Sequence, residues 1–352
     1  VTASPNRHVH ATGPELRFGR TAPVRIVADV RQGTTPLPSI RRRQLREGTI
    51  EALITLVALT GIAAVVLIFV FVAREALPLF RDPEVAKEVD LGRMFLPQVY
   101  RQGRPPGFIW QPVGSVPKYS MIPLFVGTLK VTFVSMLVAT PLGVAAAVFT
   151  SEFAPRRLKE ILKPTIELLA GIPSVVLGFF ALMVMASWLQ SAFGFSFRLN
   201  AVVAGLGLAL TIVPVIFTVA EDALAAVPRS FREASLALGA TRWETAFKVV
   251  LPAAAPGVLA AVVLGFGRAI GETMIVLMAS GNAAITSWSL GDSVRTLPAT
   301  IAAEMGEVVF GGAHYSVLFF LGIELFVFTF LLNTVAAAFV RRFVRKMSGA
   351  KA

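Results

Sequence analysis

Six stretches of this chain are long and apolar enough to cross a lipid bilayer as helices. Each such crossing takes about 20 mostly apolar residues. The stretches run roughly over residues 50–73, 121–150, 164–190, 200–221, 253–281 and 314–340. Inside hydrocarbon a backbone must satisfy its own polar groups, which a helix does and an open strand does not. The expected fold class is therefore an all-α integral membrane protein with about six transmembrane helices. Composition points the same way. Of 352 residues 55% are apolar and only 15% charged, with a mean hydropathy of +0.72. Soluble domains carry about 25% charged residues.

The formal charge of +12 reads as a topology signal. Lysine and arginine collect beside alternate spans, as the positive-inside rule requires. Arg41, Arg42, Arg43 and Arg46 precede the first span, and Arg156, Arg157, Lys159 and Lys163 fill the second connection. Arg229, Arg232, Arg242 and Lys248 fill the fourth, and Arg341, Arg342, Arg345 and Lys346 follow the last. The third connection offers only Arg198 and the fifth only Arg295. Both termini are thus expected in the cytoplasm, with a multi-pass chain in the cytoplasmic (inner) membrane. The expected parts are a cytoplasmic arm over 1–49, a first helix over 50–73 and an extracytoplasmic loop over 74–120. A core over 121–340 and a cytoplasmic tail over 341–352 follow. No basic patch with interleaved aromatics supports nucleic-acid binding. With no cysteine, disulfide and thiol chemistry are excluded, and three histidines leave little for a metal site.

The segment 228–252, PRSFREASLALGATRWETAFKVVLP, is amphipathic and falls on the basic side. Ser230 with Glu233, and Thr241 with Glu244, have capping-box spacing. Gly239 suits a helix end, where a left-handed conformation costs glycine little. Two short helices hinged at Gly239 are expected, with Pro252 opening the fifth span.

This segment resembles the EAA loop of permease subunits from ATP-binding-cassette importers. Glu233, Ala234 and Ser235 are followed by Gly239, and Val249, Leu251 and Pro252 close the pattern, with Ser235 and Val249 as mild departures. The resemblance implies a coupling helix that docks on an ATPase subunit, with Glu233, Ala234, Gly239, Leu251 and Pro252 at or beside the contact. Two further runs, LAGIPSVVLGFF at 169–180 and LGFGRAIGETMIVLMASGN at 264–282, are similar to the PstC-type permease of the phosphate-specific importer. The resemblance spans roughly 120–340. It implies a second, PstA-type permease, two PstB-type ATPase subunits, a PstS-type extracytoplasmic binding protein and inorganic phosphate as cargo. It also implies that this chain binds no cofactor and that ATP and magnesium are used by the ATPase. No phosphate-cradling G-x-x-x-x-G-K-[ST] loop occurs here, which fits that division.

The residues speak for an anion on their own account. Arg268 lies near the middle of the fifth span, where a charge costs about 2.5–3.5 kcal/mol and is normally paired or functional. Its fork of donors matches phosphate oxygens. Glu272, one helical turn further on, is expected on the same face. Its carboxylate can accept a hydrogen bond from the proton of hydrogen phosphate, a proton that sulfate lacks at neutral pH, and such a requirement discriminates strongly. The plain alternative is a structural Arg268–Glu272 ion pair. Thr273 completes the run, and Ser174, beside Gly171 and Pro173, is a further candidate for the path.

Lys130 and Glu324 lie at matching depth, roughly 14 Å from the outer ends of their spans by the helical rise. They are expected to pair or to line one cavity. Gly267 and Gly271 form a G-x-x-x-G packing face. The rival functions are a permease for another oxyanion such as sulfate or molybdate, a stand-alone secondary transporter, and an intramembrane enzyme using Glu272 and Glu324. No internal repeat favours the secondary transporter.

Overall fold

The computed structural model describes residues 40–99, 106–114 and 116–347, and the side chains of those between 47 and 342. Most of the arm, 1–39, and the last five residues of the tail lie outside the described residues. The chain divides into two units, Val1–Ala64 and Val65–Ala352. Of the first, residues 40–64 are helical, and positions 47–64 are exposed.

Helix α1 spans Ile40–Ala76. After it come three short helices, α2 (Pro78–Arg81), α3 (Pro83–Glu88) and α4 (Leu91–Phe95), and a two-stranded sheet of β1 (Trp110–Gln111) and β2 (Lys118–Tyr119). The strands are antiparallel, with Trp110 opposite Tyr119. Asp82 and Asp90 cap α3 and α4, accepting from the amides of Glu84 at 2.9 Å and Gly92 at 2.8 Å. The described part of segment 74–120, whose fold the sequence left open, thus holds short helical turns and a small two-stranded sheet. It has its own apolar core, in which Leu79, Met94, Trp110 and Tyr119 pack with Met121, Leu297 and Leu318.

The transmembrane elements follow. Helix α5 covers Ile122–Val148 and ends in a π-helical turn, Phe149–Phe153. Helix α6 (Arg156–Ala170) precedes α7 (Ser174–Phe180), which a π-helical turn, Ala181–Met185, joins to α8 (Ala186–Phe193). Then come α9 (Ala201–Ala225), α10 (Arg229–Ala237) and α11 (Arg242–Thr245). A third π-helical turn, Ala246–Val250, leads into α12 (Leu251–Gly271), followed by α13 (Met274–Ala279), α14 (Leu297–Glu304) and α15 (Ala313–Met347).

Six helices among the described residues are long and apolar enough to span, at Glu47–Arg81, Ile122–Phe153, Ser174–Phe193, Ala201–Ala225, Arg242–Gly271 and Ala313–Arg342. Helix α9 is the central one. Its sequence AVVAGLGLAL puts alanine and glycine at the contacts, and between lipid-soluble helices close packing, not water exclusion, drives association. Leu208, Ile212, Ile216 and Phe217 are fully buried there, against α5, α12 and α6.

The structure moves several expected boundaries. The third span begins at Ser174, not 164, because Gly171–Pro173 separates it from α6. Helix α6 is strongly two-faced, and its lysines reach α9: Lys159 and Lys163 lie 2.6 and 2.7 Å from the Glu221 carboxylate. The fifth span starts earlier, at Arg242, and stops at Gly271. It runs through Pro252, and the π-helical turn just before loosens the ladder where proline cannot donate. The last helix continues through residues 341–347 of the expected tail. Ser230 is not a cap. Helix α10 starts at Arg229 behind Pro228, whose fixed φ sets the entry without a side-chain bond.

Candidate translocation path and coupling segment

Arg268 occupies the last turn of α12, three residues before the helix and the span end at Gly271, and so not near the middle of the span as expected. The outward positions of this helix, Ala253, Pro256, Ala260, Leu264, Arg268 and Gly271, recur every three or four residues and are all exposed. They form one helical face left uncovered by the described residues. Arg268 sits on it, with no carboxylate or other hydrogen-bond partner among the described residues.

The expected Arg268–Glu272 arrangement on one face is not found. Helix α12 ends at Gly271, and Glu272 is extended, with ψ near 130°. Thr273 then leads into α13, its hydroxyl donating weakly to the Gly271 carbonyl at 3.4 Å. Gly271 and Thr273, on either side of Glu272, are weak helix formers, which favours a break there. Glu272 is half-buried beside the break. The glycine pair also divides: Gly267 packs against α15, while Gly271 meets nothing within 4 Å.

The residue against Gly267 is Asn333. A β-carbon added at Gly267 would lie 3.1 Å from the Asn333 amide nitrogen, and the Asn333 amide oxygen is buried without a partner. Sequence reading missed this polar group inside a span. A lone asparagine in the last apolar stretch was the available signal. Ser174 is half-buried at the first position of α7 and makes no hydrogen bond among the described residues.

Lys130 does not meet Glu324. Its ammonium donates to the carbonyls of Ser289 at 2.5 Å and Ser287 at 3.2 Å. The loop 281–296 folds back beside α5, and its free carbonyls take the charge. Matching depth fixes one coordinate only, since rotation about each helix decides which side chains meet. Glu324 is half-buried, with no hydrogen bond or ion pair among the described residues.

The same loop is pinned at further points. Ser287 donates to Asp292 at 2.5 Å, Ser293 to the Leu199 carbonyl at 2.7 Å, and the Leu297 amide to Thr128 at 3.1 Å. Gly127 is obligatory there, because any β-carbon would fall 2.1 Å from the Arg295 carbonyl oxygen. Beyond it Glu304 is a hub. Arg295 pairs with it, His314 lies at 2.9 Å, and Trp110 donates at 3.1 Å. Burial pushes the Glu304 carboxyl up, but the bonds from His314 and Trp110 and the Arg295 charge outweigh it and hold it below the ordinary value.

At the opposite end, α10 and α11 form the expected two-helix segment. Gly239 has φ +86°, and the amides of Gly239 and Ala240 return to the carbonyls of Leu236 and Ser235 at 3.0 and 3.2 Å. That closes α10 in a Schellman geometry. Thr241 and Glu244 make the reciprocal capping box, at 3.2 and 3.0 Å. Glu233 and Ala234 are exposed, as are Phe231, Leu236, Leu238 and Trp243. No residue of α10 is buried. Leu251 is half-buried and Pro252 exposed where α12 begins.

This arrangement, six spans with a surface segment between the fourth and fifth, has known counterparts. The model of the binding-protein-dependent transport system inner membrane component family matches residues 139–349. The chain belongs to that family. As a member it is a multi-pass inner-membrane protein, the permease component of an importer. A probable ABC transporter permease, YqgH of Bacillus subtilis, is 39% identical over 84% of this chain and 91% of its own. A phosphate transport system permease, PstC of Mesorhizobium japonicum, is 36% identical over 66% of this chain and 76% of its own. A solved bacterial alginate ABC transporter covers 86% of this permease and 98% of its own matching chain, with a TM-score of 0.59 at 13% identity. At that identity the likeness establishes the permease fold alone.

Proposed function

We propose that this permease forms half of the translocation path of an ATP-driven importer of inorganic phosphate, and that Arg268 attracts the anion. One observation carries the reading. Arg268 stands on an exposed face of a membrane helix, beside a break in that helix, with no counter-charge among the described residues. A guanidinium at membrane depth without a partner costs too much to be incidental. The uncovered face fits a second permease subunit of PstA type, and the path would run between the two. Similarity to several PstC proteins supports phosphate.

Glu272 and Thr273, in the break, stand where the passing anion would be read. Glu272 would accept a hydrogen bond from the hydroxyl of hydrogen phosphate. Ser174, at the start of α7, is a further contact. Lys130 acts less directly, by holding the 281–296 loop. The 229–251 segment docks on a PstB-type ATPase through Glu233, Ala234 and the apolar side chains beside them, with Gly239 as its hinge and Leu251 and Pro252 as its root. That ATPase uses ATP and magnesium, and a PstS-type binding protein delivers phosphate from outside. Basic residues at 156–163 and 229–248 support a cytoplasmic position for the docking end and for both termini.

The test is labelled phosphate uptake by cells carrying the complete transporter, with wild-type or Arg268→Lys permease at equal expression and excess sulfate or molybdate as competitor. Uptake that resists both competitors and collapses in the variant is expected. Effective competition by sulfate would keep the importer and replace its cargo. Phosphate-specific uptake indifferent to the substitution would remove Arg268 from the path. Glu272→Gln is expected to relax selectivity against sulfate.

A further inference from the structure

Arg232 lies on α10, one residue before Glu233, and it does not face outward with its neighbours. Its guanidinium grips Glu152 with two prongs, Nε to Oε2 at 3.0 Å and Nη2 to Oε1 at 2.7 Å. Nη1 donates to the Val227 carbonyl at 2.7 Å and Nη2 to the Leu224 carbonyl at 2.9 Å. Leu224 lies in the last turn of α9 and Val227 just past its end, so the cation also sits at the carbonyl terminus of that helix, where positive charge is favourable. Glu152 belongs to the π-helical turn that ends the second span, and only 9% of its side chain is exposed. The next residue, Phe153, packs on Trp243 of the second short helix, ring centroids 5.8 Å apart.

The 229–245 segment is joined covalently to the fourth and fifth spans. To the second span it is tied by side chains, at the consecutive residues Glu152 and Phe153. That span, at its other end, carries Gly127, Thr128 and Lys130, which seat the 281–297 loop. A π-helical turn at each anchoring point, 149–153 and 246–250, places the weakest helical hydrogen bonding where a helix end would pivot.

We infer that Arg232 is a positioning residue that passes movement of the 229–245 segment to the second span through its two-pronged bond to Glu152. The inference rests on the docking role proposed above for that segment. Lysine cannot replace the fork, because it offers a point charge and no paired planar donors. Breaking the joint leaves the docking surface intact, since Glu233, Ala234 and Leu238 are on the other side of the segment in open solvent. The ATPase then binds and turns over while the second span fails to follow.

The experiment uses the complete transporter in proteoliposomes with its binding protein. It reads phosphate imported per ATP hydrolysed, together with retention of the ATPase on affinity-purified permease. Glu152→Gln and Arg232→Lys are expected to keep the ATPase bound and to lower phosphate per ATP by about fivefold or more, the size of a typical coupling energy. The exchanged pair, Glu152→Arg with Arg232→Glu, is expected to recover part of the loss. An unchanged ratio in both single variants overturns the joint. So does release of the ATPase by Glu152→Gln, which would make Arg232 part of the docking surface. Ala234→Asp tests the docking reading alone and is expected to release the ATPase. If it leaves binding and transport intact, that reading fails and the joint falls with it.

Discussion

The two ends of the transmembrane bundle solve the same problem in opposite ways. Around Glu304 the chain satisfies itself. A buried carboxylate is matched by Arg295, His314 and Trp110, and the hairpin and α2–α4 close over an apolar core. Around Gly239 the chain does not. Leu238 is 90% exposed, α10 buries nothing, and Phe231, Leu236 and Trp243 stand open. Exposed apolar clusters on a polar surface mark contact sites. One end is finished by its own sequence, and the other leaves apolar side chains open, as the proposed docking of a partner requires. Substitutions at the two ends should therefore fail differently, in stability at the first and in association at the second.

The largest effect is expected at Glu304. Glu304→Gln leaves Arg295 without its anion in a site where the two side chains are only 17% and 14% exposed. Removing one partner of a buried pair costs about 3–5 kcal/mol, and partial exposure favours the low end. The purified permease in detergent should unfold at a clearly lower temperature. An unchanged unfolding temperature would dissolve the contrast between the ends.

Acid should act on the same hub. The folded Glu304 carboxyl lies below its ordinary value of 4.5. A depressed carboxyl contributes stability that is fully present above the ordinary value and disappears as pH falls through the folded one. The wild-type advantage over Glu304→Gln should hold from neutrality down to about pH 5 and shrink below it. An advantage that grew on acidification would reverse the assignment.

How far the sequence reveals each end follows from the range of the interactions. The 229–251 segment is local: glycine, capping threonine and the proline that follows lie close together in the sequence, and the two-helix form with its turn at Gly239 is legible from them. The hub is not. Trp110 and Glu304 are 194 positions apart, and nothing periodic links them. Glu221 gave a partial signal, since Lys159 and Lys163 share a helical face and two acids adjoin at 221 and 222, but its burial to 1% exposure depends on α6 lying across α9. The path falls between. Arg268 stands out as an isolated charge in an apolar run. The break after it does not, because a continuous apolar stretch reads as one helix until a Gly-Glu-Thr run is seen to interrupt it.

A middle-sized effect should come from the cap at Thr241. Thr241→Ala removes the oxygen that accepts the Glu244 amide at 3.2 Å, and N-cap losses run to about 1 kcal/mol. The cost falls on a short surface helix. Amide exchange over 242–247 should quicken while the global unfolding temperature barely moves. Equal protection in variant and wild type would mean that α11 is held by Phe153 and the Ser235–Thr245 contact, not by its cap.

The smallest effect on the fold, and the one that separates the two ends most cleanly, is expected at Leu238. Its side chain touches almost nothing in its own chain, so Leu238→Ser should change stability by less than about 0.5 kcal/mol. If the exposed leucine exists for a partner, the same substitution should weaken retention of the ATPase. Burying a leucine side chain at an interface is worth about 1.5–3 kcal/mol, roughly tenfold or more in affinity. Titrating detergent-solubilised permease with the ATPase measures both halves of that statement on one sample. A stable variant with weakened association confirms that this end is completed from outside. A stable variant with unaltered association would leave Leu238 as a solvent-facing leucine and move the docking surface to Phe231 and Leu236 on α10.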